Sequence, residues 1–256
     1  MILICDIDGT FWQHFDADYE VYKKNVAAAK RWRAAGHKLI LATGRGFPSV
    51  RRTFKDIVDY ADYLITDNGS FTTELATGKL LDAIVFEPNQ IGKITAFVRV
   101  LYPEQLAQLS YHGYLQEHQY PTAAIGKIRT WTRNAELAEK LSMRLQDEFG
   151  LDTVRLHVER NALPSSLPWV GADYKAFVNI TPKDSGKEQA MKRLIEAKGF
   201  GDKVYALGDD LNDISMIRSY EGYAMRDSHP QLLEQMSSDR LVENPAELIE
   251  KLLAEQ

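Results

Sequence analysis

Acidic side chains form two short runs at opposite ends of the chain. Asp6-Ile7-Asp8-Gly9-Thr10 follows the apolar run Met1–Cys5, and Gly208-Asp209-Asp210-Leu211-Asn212-Asp213 follows the apolar segment Lys203–Leu207. Carboxylates that share one site repel one another and shift each other's pKa values unless a cation relieves them. Mg²⁺ suits a small set of oxygen ligands and also takes phosphate oxygens. The two runs therefore predict a Mg²⁺ site, whereas the scattered histidines argue against zinc.

The same residues fit the requirements of a reaction at phosphorus, which needs in-line attack, neutralised phosphoryl oxygens and a proton for the leaving oxygen. An ionised aspartate can attack phosphorus, and a carboxylic acid two residues further on can serve as general acid and base. Thr43 and the amides near Gly44 can hydrogen-bond phosphoryl oxygens, and Lys187 offers a positive charge. We interpret this set as the parts of a phosphoryl-transfer site.

Parallel strands are expected to position these residues. Met1–Cys5, Lys38–Ala42, Ala61–Thr66 and Lys203–Leu207 are short continuous apolar runs, which is typical of strands covered on both faces. Helical patterns lie between them, at Asp18–Ala35, Phe47–Tyr60 and Lys187–Lys198. Strand, helix and strand in this order indicate right-handed crossovers in a doubly wound α/β sheet, whose ligands collect at the carboxyl ends of the strands.

The middle of the chain has a different pattern. Alternating strands are predicted at Lys127–Thr132, Thr153–Glu159 and Tyr174–Ile180, and amphipathic helices at Gln90–Tyr102 and Asn134–Phe149. We interpret residues 83–180 as an inserted antiparallel α+β domain, and residues 1–82 and 181–256 as the core that surrounds it.

Four motifs resemble those of the haloacid dehalogenase superfamily. They are DxDGT at Asp6–Thr10, LATGR at Leu41–Arg45, the lysine of SGKEQAMKRL at Lys187, and GDDLND at Gly208–Asp213. Asp67-Asn68-Gly69-Ser70 and Gly222-Tyr223-Ala224-Met225 are similar to the Cof-like, sugar-phosphatase branch. The resemblance implies a Mg²⁺-dependent phosphohydrolase with a Rossmann-like core.

The resemblance also implies roles for individual residues. Asp6 would be the nucleophile and a metal ligand, and Asp8 would be the general acid and base and would lend a backbone carbonyl to the metal. Asp209 would be a further ligand, and Asp213 would ligate or support the metal through water. The residues that would hold the phosphate are Thr43, Gly44, Lys187 and Asn212.

The position of the inserted domain in the sequence indicates which type of superfamily member the chain resembles. The interval from Thr10 to Thr43 has room for one crossover helix, so a large lid must fall between Arg45 and Lys187. This position resembles the large α/β cap of type IIB members. We therefore expect the inserted domain to act as a substrate lid, with Arg45, His112 and Tyr114 as possible substrate contacts. One departure concerns Arg226-Asp227-Ser228, where the family often has a different sequence.

Composition limits the partners. A formal net charge of -5 argues against a nucleic acid partner, because binding to a phosphate backbone usually requires a basic surplus. The single cysteine, Cys5, cannot form an internal disulfide, and we interpret it as a core residue. With neither a signal segment nor a long apolar run in the sequence, we expect a cytoplasmic enzyme that acts on a small phosphorylated metabolite, without a membrane partner.

Two functions other than phosphate ester hydrolysis would use the same residues and differ in what happens to the phosphoryl group. A phosphotransferase or phosphomutase of the same superfamily would pass the phosphoryl group to a sugar rather than to water. A phospho-accepting signalling module also combines acids, Mg²⁺, a hydroxyl and a lysine on a doubly wound sheet. It would keep the aspartyl phosphate for a long time.

Overall fold

A computed structural model of the chain describes residues 1–13, 19–101, 109–118, 124–157, 176–201 and 203–255. The chain divides into two compact units. The first comprises Met1–Arg45, Ser49–Asp82 and Gly186–Gln256, and the second comprises Gly46–Pro48 and Ala83–Ser185. The first unit is thus assembled from both ends of the chain. Its role as a catalytic core, and that of the second unit as a substrate lid, stay predictions.

The described strands and helices alternate along most of the chain. The strands are β1 (Ile2–Asp6), β2 (Lys38–Ala42), β3 (Tyr63–Thr66), β4 (Phe71–Glu74), β5 (Lys79–Ala83), β6 (Leu109–His112), β7 (Glu117–His118), β8 (Lys127–Thr132), β9 (Asp152–His157), β10 (Ala176–Thr181), β11 (Val204–Gly208), β12 (Glu221–Met225) and β13 (Leu241–Val242). The helices are α1 (Glu20–Ala34), α2 (Phe47–Thr53), α3 (Pro88–Leu101), α4 (Ala135–Phe149), α5 (Lys187–Lys198), α6 (Ile214–Ser219), α7 (Pro230–Leu233) and α8 (Pro245–Ala254).

A mixed sheet of eight strands forms the centre of the first unit, in the order β13-β12-β11-β1-β2-β3-β4-β5. From β13 to β3 every pair of neighbours is parallel, and β4 then pairs antiparallel with β3. The strand order reverses at β1, which lies between β2 and β11. The doubly wound α/β fold predicted from the apolar runs is confirmed, and β1 lies where such folds bind their ligands.

Apolar side chains on both faces of β1 explain its central position. Ile2 and Ile4 pack with Met191 and Leu194 of α5 in one core cluster. Leu3 alternates to the other face and is equally buried. On that face α1 packs against α8, and the indole of Trp32 donates to the carbonyl of Lys38 at 2.9 Å. Layers of helices on both faces thus leave the strand ends as the accessible edge of the sheet.

The second unit is an antiparallel α+β layer. Its strands lie in the order β7-β6-β8-β10-β9, and all four pairs of neighbouring strands are antiparallel. Alternate residues of the sheet, such as Ile128 and Val178, form an apolar core with Ile94 of α3 and Leu141 of α4. Helices therefore cover one face of this sheet.

The predicted helix Phe47–Tyr60 is wrong in its second half. Helix α2 ends at Thr53, and a short 3-10 turn follows at Ile57–Asp59. The Thr53 hydroxyl donates to the carbonyl of Ser49 at 3.0 Å, one turn earlier. A threonine that bonds the backbone in this way weakens the continuation of a helix.

Among the described residues, no helix is long and apolar enough to cross a membrane.

Candidate active site

Four parallel strands bring the predicted site residues to one edge of the first unit's sheet. Asp6 is the last residue of β1, and Thr43 follows β2 directly. Asp67 follows β3, and Asp209 follows β11. Because the order of these strands is β11-β1-β2-β3 and all are parallel, their carboxyl ends lie side by side.

Three carboxylates from distant parts of the chain meet at this edge. Asp6, Asp209 and Asp213 each offer a carboxylate oxygen, and these oxygens all lie within 4.8 Å of one another. Asp6 and Asp213 are buried, and Asp209 is half-buried. The carboxylate of Asp8 is not part of this group, and its expected metal contact through the backbone carbonyl stays a prediction. We call Asp6, Asp209 and Asp213 the acidic cluster.

Burial and mutual repulsion make two acids of the cluster, Asp6 and Asp209, hard to ionise. Burial first, and then the charges of Asp213, Asp209 and Asp8, raise the pKa of Asp6 well above its usual value, although Lys187 lowers it. Burial and the nearby charge of Asp213 raise the pKa of Asp209 to about 7. Upward pKa shifts of this kind are typical of buried carboxylates whose charges are only partly compensated. Three closely spaced carboxylates are a donor set that fits a hard divalent cation such as Mg²⁺.

Lys187 supplies part of that compensation. It is the first residue of α5, its side chain is buried, and its ammonium contacts the carboxylates of Asp6 and Asp213, the latter at 2.7 Å. Burial alone would lower the pKa of Lys187, but the charges of Asp213 and Asp6 outweigh it and raise the pKa above its usual value. Lys187 is therefore a permanent cation at the site.

Short polar contacts hold the acidic cluster in shape. The hydroxyl of Thr10 donates to Asp209 Oδ1 at 2.6 Å, which ties the loop after β1 to the loop after β11. Asp213 Oδ2 accepts from the backbone N–H groups of Asp209 and Asp210 at 3.1 and 3.2 Å. Thr10 was assigned no role from the sequence, although its place in DxDGT was the available signal.

Asp8 is held away from the acidic cluster by Arg45. The guanidinium Nε of Arg45 donates to both carboxylate oxygens of Asp8, at 2.8 and 3.0 Å, and Nη2 donates as well. Thr43 adds a longer hydrogen bond of 3.4 Å to Asp8. Arg45 also lies over the rings of Trp12 and Phe54, at 5.0 and 5.9 Å from their centroids. The position of the Asp8 carboxylate is therefore fixed by Arg45 and Thr43.

The predicted phosphate-binding residues share the same edge. Thr43 Oγ1 accepts from the N–H of Arg45 at 3.1 Å, which shapes the turn at Gly44. Asn212, in the loop after β11, donates through Nδ2 to Asn68 Oδ1 at 3.4 Å. Lys187 reaches the edge through its contact with Asp6. The structure thus gathers Thr43, Gly44, Lys187 and Asn212 around the end of β1.

A family comparison decides the identity of this arrangement. The profile of the haloacid dehalogenase-like hydrolases matches residues 3–238, which is most of the chain. The chain belongs to this family. The predicted membership is confirmed, and so is the prediction that the protein is an enzyme of the hydrolase type.

Several solved structures share the fold of this chain. A haloacid dehalogenase-like hydrolase from B. subtilis matches with a TM-score of 0.73 at 16% identity, over 98% of this chain and 99% of that chain. A protein from Bacteroides thetaiotaomicron, described among phosphatases of the superfamily, matches with a TM-score of 0.73 at 17% identity, over 99% and 94%. A subclass IIB sugar phosphatase matches with a TM-score of 0.65 at 18% identity, over 96% and 94%. A search of curated proteins found no match.

The two predicted lid contacts of this hydrolase lie in its second unit. His112, at the end of β6, is buried, and its Nε2 lies 3.2 Å from the hydroxyl of Ser110. Tyr114 follows in the next turn and is half-buried. Neither position decides a role in substrate binding, so both residues stay predicted contacts.

Proposed function

We propose that this hydrolase is a Mg²⁺-dependent phosphatase of small phosphomonoesters that works through a phosphate ester of Asp6. The acidic cluster is the observation that carries the proposal, because three carboxylates within 4.8 Å of one another could hold a divalent cation and one of them is the predicted nucleophile. Phosphatases among the structures of similar fold support the class of reaction.

Asp6, Asp209 and Asp213 are the residues that would hold Mg²⁺. Bound there, the ion supplies positive charge that neutralises the acids and the phosphoryl oxygens. Lys187 contacts two of the three acids, so the chain already places one positive charge against them.

The first step is attack by Asp6. Its carboxylate oxygen forms a bond to phosphorus while the bond from phosphorus to the ester oxygen breaks. Protonated Asp8 gives its proton to the departing alkoxide, which leaves as an alcohol. Thr43, the amide of Gly44, Asn212 and Lys187 donate hydrogen bonds to the phosphoryl oxygens.

The second step regenerates the enzyme. Asp8, now ionised, takes a proton from a water molecule whose oxygen attacks phosphorus. The bond between phosphorus and the Asp6 oxygen breaks, which releases inorganic phosphate and restores the carboxylate. Two observations support separate roles for the two acids: Asp6 is buried among other acids, whereas Asp8 is bound by Arg45 outside the acidic cluster.

A sugar phosphate is the substrate class we favour. The match to the subclass IIB sugar phosphatase of similar fold covers nearly the full length of both chains. We propose that the second unit, with His112 and Tyr114, selects the leaving group. The acidic chain, with its net charge of -5, supports a small metabolite rather than a nucleic acid as the partner.

A phosphatase assay tests the proposed function. The purified protein with Mg²⁺ should release phosphate from an aryl phosphate and from sugar phosphates. Both EDTA and the nearly isosteric substitution Asp6→Asn should abolish the release, because the first removes the cation and the second removes the nucleophile. Hydrolysis that survives both treatments would contradict the proposal, whereas transfer to a sugar in preference to water would identify a phosphotransferase.

A further inference from the structure

A strained turn follows β3, directly beside the site. Asp67 and Asn68 have φ angles of +52° and +56°, in the left-handed region that residues other than glycine rarely adopt, and Gly69 follows with +101°. Asparagine tolerates this region better than most residues. Strain of this kind concentrates at binding sites and is a reason to look for a function.

The side chain of Asn68 in this turn is buried, and its hydrogen bonding is incomplete. The residue is 5% exposed, and its amide Nδ2 makes no hydrogen bond to any described residue. A buried donor without an acceptor is costly, so most such groups in folded proteins have a partner. The other end of the carboxamide is fixed, because Oδ1 accepts from Asn212 at 3.4 Å. The donor therefore has a defined direction and lacks an acceptor among the described residues.

The neighbours of Asn68 are the predicted phosphate-binding residues. Its backbone N–H donates to the carbonyl of Thr43 at 3.1 Å. A Cβ at Gly44 would lie 2.9 Å from Asn68 Oδ1, so the two residues approach closely because Gly44 has no side chain. The next residue, Gly69, packs so closely on Gly186 that an added Cβ would overlap its backbone. Gly186 directly precedes Lys187.

The bond between Asn68 and Asn212 also spans the edge of the sheet. Asn68 follows β3 and Asn212 follows β11, and β1 and β2 lie between these strands. A contact between the two side chains must therefore pass over the ends of β1 and β2, which carry Asp6 and Thr43. The carboxamide of Asn68 is thus held above the place where the phosphoryl group would bind.

We propose that Asn68 is a further phosphate-binding residue, whose Nδ2 donates to a phosphoryl oxygen of the substrate and of the aspartyl phosphate. This inference rests on the proposed phosphatase function. A neutral carboxamide supplies a donor without adding charge to the acidic cluster. Asn212 orients it through Oδ1, which leaves Nδ2 for the ligand.

Two substitutions of Asn68 with one control test this role. Asn68→Asp keeps the shape and replaces the donor by a carboxylate oxygen, and Asn68→Gly keeps the backbone conformation and removes the carboxamide. Each should lower kcat/KM for an aryl phosphate and raise the inhibition constant of inorganic phosphate by about 10- to 100-fold, the effect of losing one hydrogen bond to a charged group. Thr72→Val is the control. Thr72 lies in β4, close to Asn68 in the sequence, and its buried hydroxyl also has no hydrogen-bond partner among the described residues. It should leave both constants unchanged.

A binding measurement separates this inference from the proposed function. With Mg²⁺ present, inorganic phosphate should raise the melting temperature of the wild-type protein and of Thr72→Val, but raise it less in both Asn68 variants. A merely structural role would lower the melting temperature of the variants without changing the increment that phosphate adds. Increments and inhibition constants equal to those of the wild type in both variants would overturn the role of Asn68 and leave the phosphatase intact. If the wild-type protein binds phosphate through Asn68 but cleaves no ester, the proposed function alone is overturned. If phosphate does not raise the melting temperature of the wild-type protein, the inference about Asn68 is overturned.

Discussion

Arg45 and Asp8 are the residue pair on which the proposed proton transfer depends. The guanidinium fork binds both oxygens of Asp8, and two aromatic rings lie beneath the guanidinium. A planar fork in this geometry cannot be replaced by the point charge of a lysine. Arg45 therefore acts in our account as a positioning residue for Asp8, in addition to its predicted contact with the substrate.

Substitution of Arg45 should affect poor leaving groups more than good ones. An alkoxide needs a proton from Asp8 to depart, whereas an aryl oxide leaves without one. In Arg45→Met, and less severely in Arg45→Lys, kcat for a sugar phosphate should fall about 10-fold more than kcat for an aryl phosphate, as expected when a general acid is misplaced. Arg52→Met, which changes an exposed arginine of the nearby helix α2, is the matched control and should leave this ratio unchanged. An equal loss for both substrates, with a higher KM, would assign Arg45 to substrate binding instead.

Sequence patterns could indicate which residues carry the chemistry, but not which residues they contact. Asp6 and Asp209 were candidates because each follows an apolar run. The bond from Thr10 to Asp209 joins residues 199 positions apart, and that from Lys187 to Asp6 joins residues 181 apart. Contacts of this range depend on the register of the whole sheet. For the same reason the sequence predicted no role for Asn68, although the residue lies in a motif that resembles the family. Its contacts with residues distant in the sequence were needed.

At the scale of elements, the loop after β1 and the loop after β11 are in close contact at Gly9. A side chain at this position would leave no room for the contact. Gly9 has a φ of +89°, and a Cβ there would overlap the carboxylate of Asp209. The glycine therefore permits the contact of the two strand ends from which the acidic cluster is assembled.

Alanine substitution at two glycines can separate backbone strain from this close approach. Gly36 has a similar φ of +84° after α1, and nothing lies within 4 Å of an added Cβ. Gly9→Ala and Gly36→Ala should each lose about 1 kcal/mol of stability from the left-handed backbone. Only Gly9→Ala should also lose Mg²⁺-induced stabilisation, as measured by thermal melts with and without Mg²⁺. The close approach would be unimportant if the two variants gained equally from Mg²⁺.

Elements with strong local signals were predicted well. The strand Lys38–Ala42 and the helix Lys187–Lys198 have the predicted bounds, because a continuous apolar run and a regular apolar periodicity are local properties. The strand Phe71–Glu74 was missed, since it buries Thr72 and Thr73 and so lacks an apolar pattern. The helix Pro245–Ala254 was also missed, although Asn244 caps it and proline begins it, which is a signal that the sequence offered.

At the scale of the whole molecule, the two ends of the chain build one sheet around a long insertion. β11 pairs with β1 in parallel, which brings residues after position 203 beside the first strand. The interval between Arg45 and Lys187 predicted where a large insertion had to fall, since the other interval had no room. How the inserted unit selects a substrate could not be predicted, because its side chains carry no motif that identifies a ligand.

The central claim is that acids from both chain ends bind one Mg²⁺, and a calorimetric Mg²⁺ titration tests it most directly. The wild-type protein should bind one ion per chain, and Asp209→Asn should bind it at least about 10-fold more weakly, because one charged ligand is lost. Since burial raises the pKa of Asp209 to about 7, protons compete with the metal below that pH, and the wild-type affinity should rise as pH increases through this value. The pH dependence should be weaker in Asp209→Asn. A wild-type protein that binds no Mg²⁺ above this pH, or an affinity that Asp209→Asn leaves unchanged, would contradict the account.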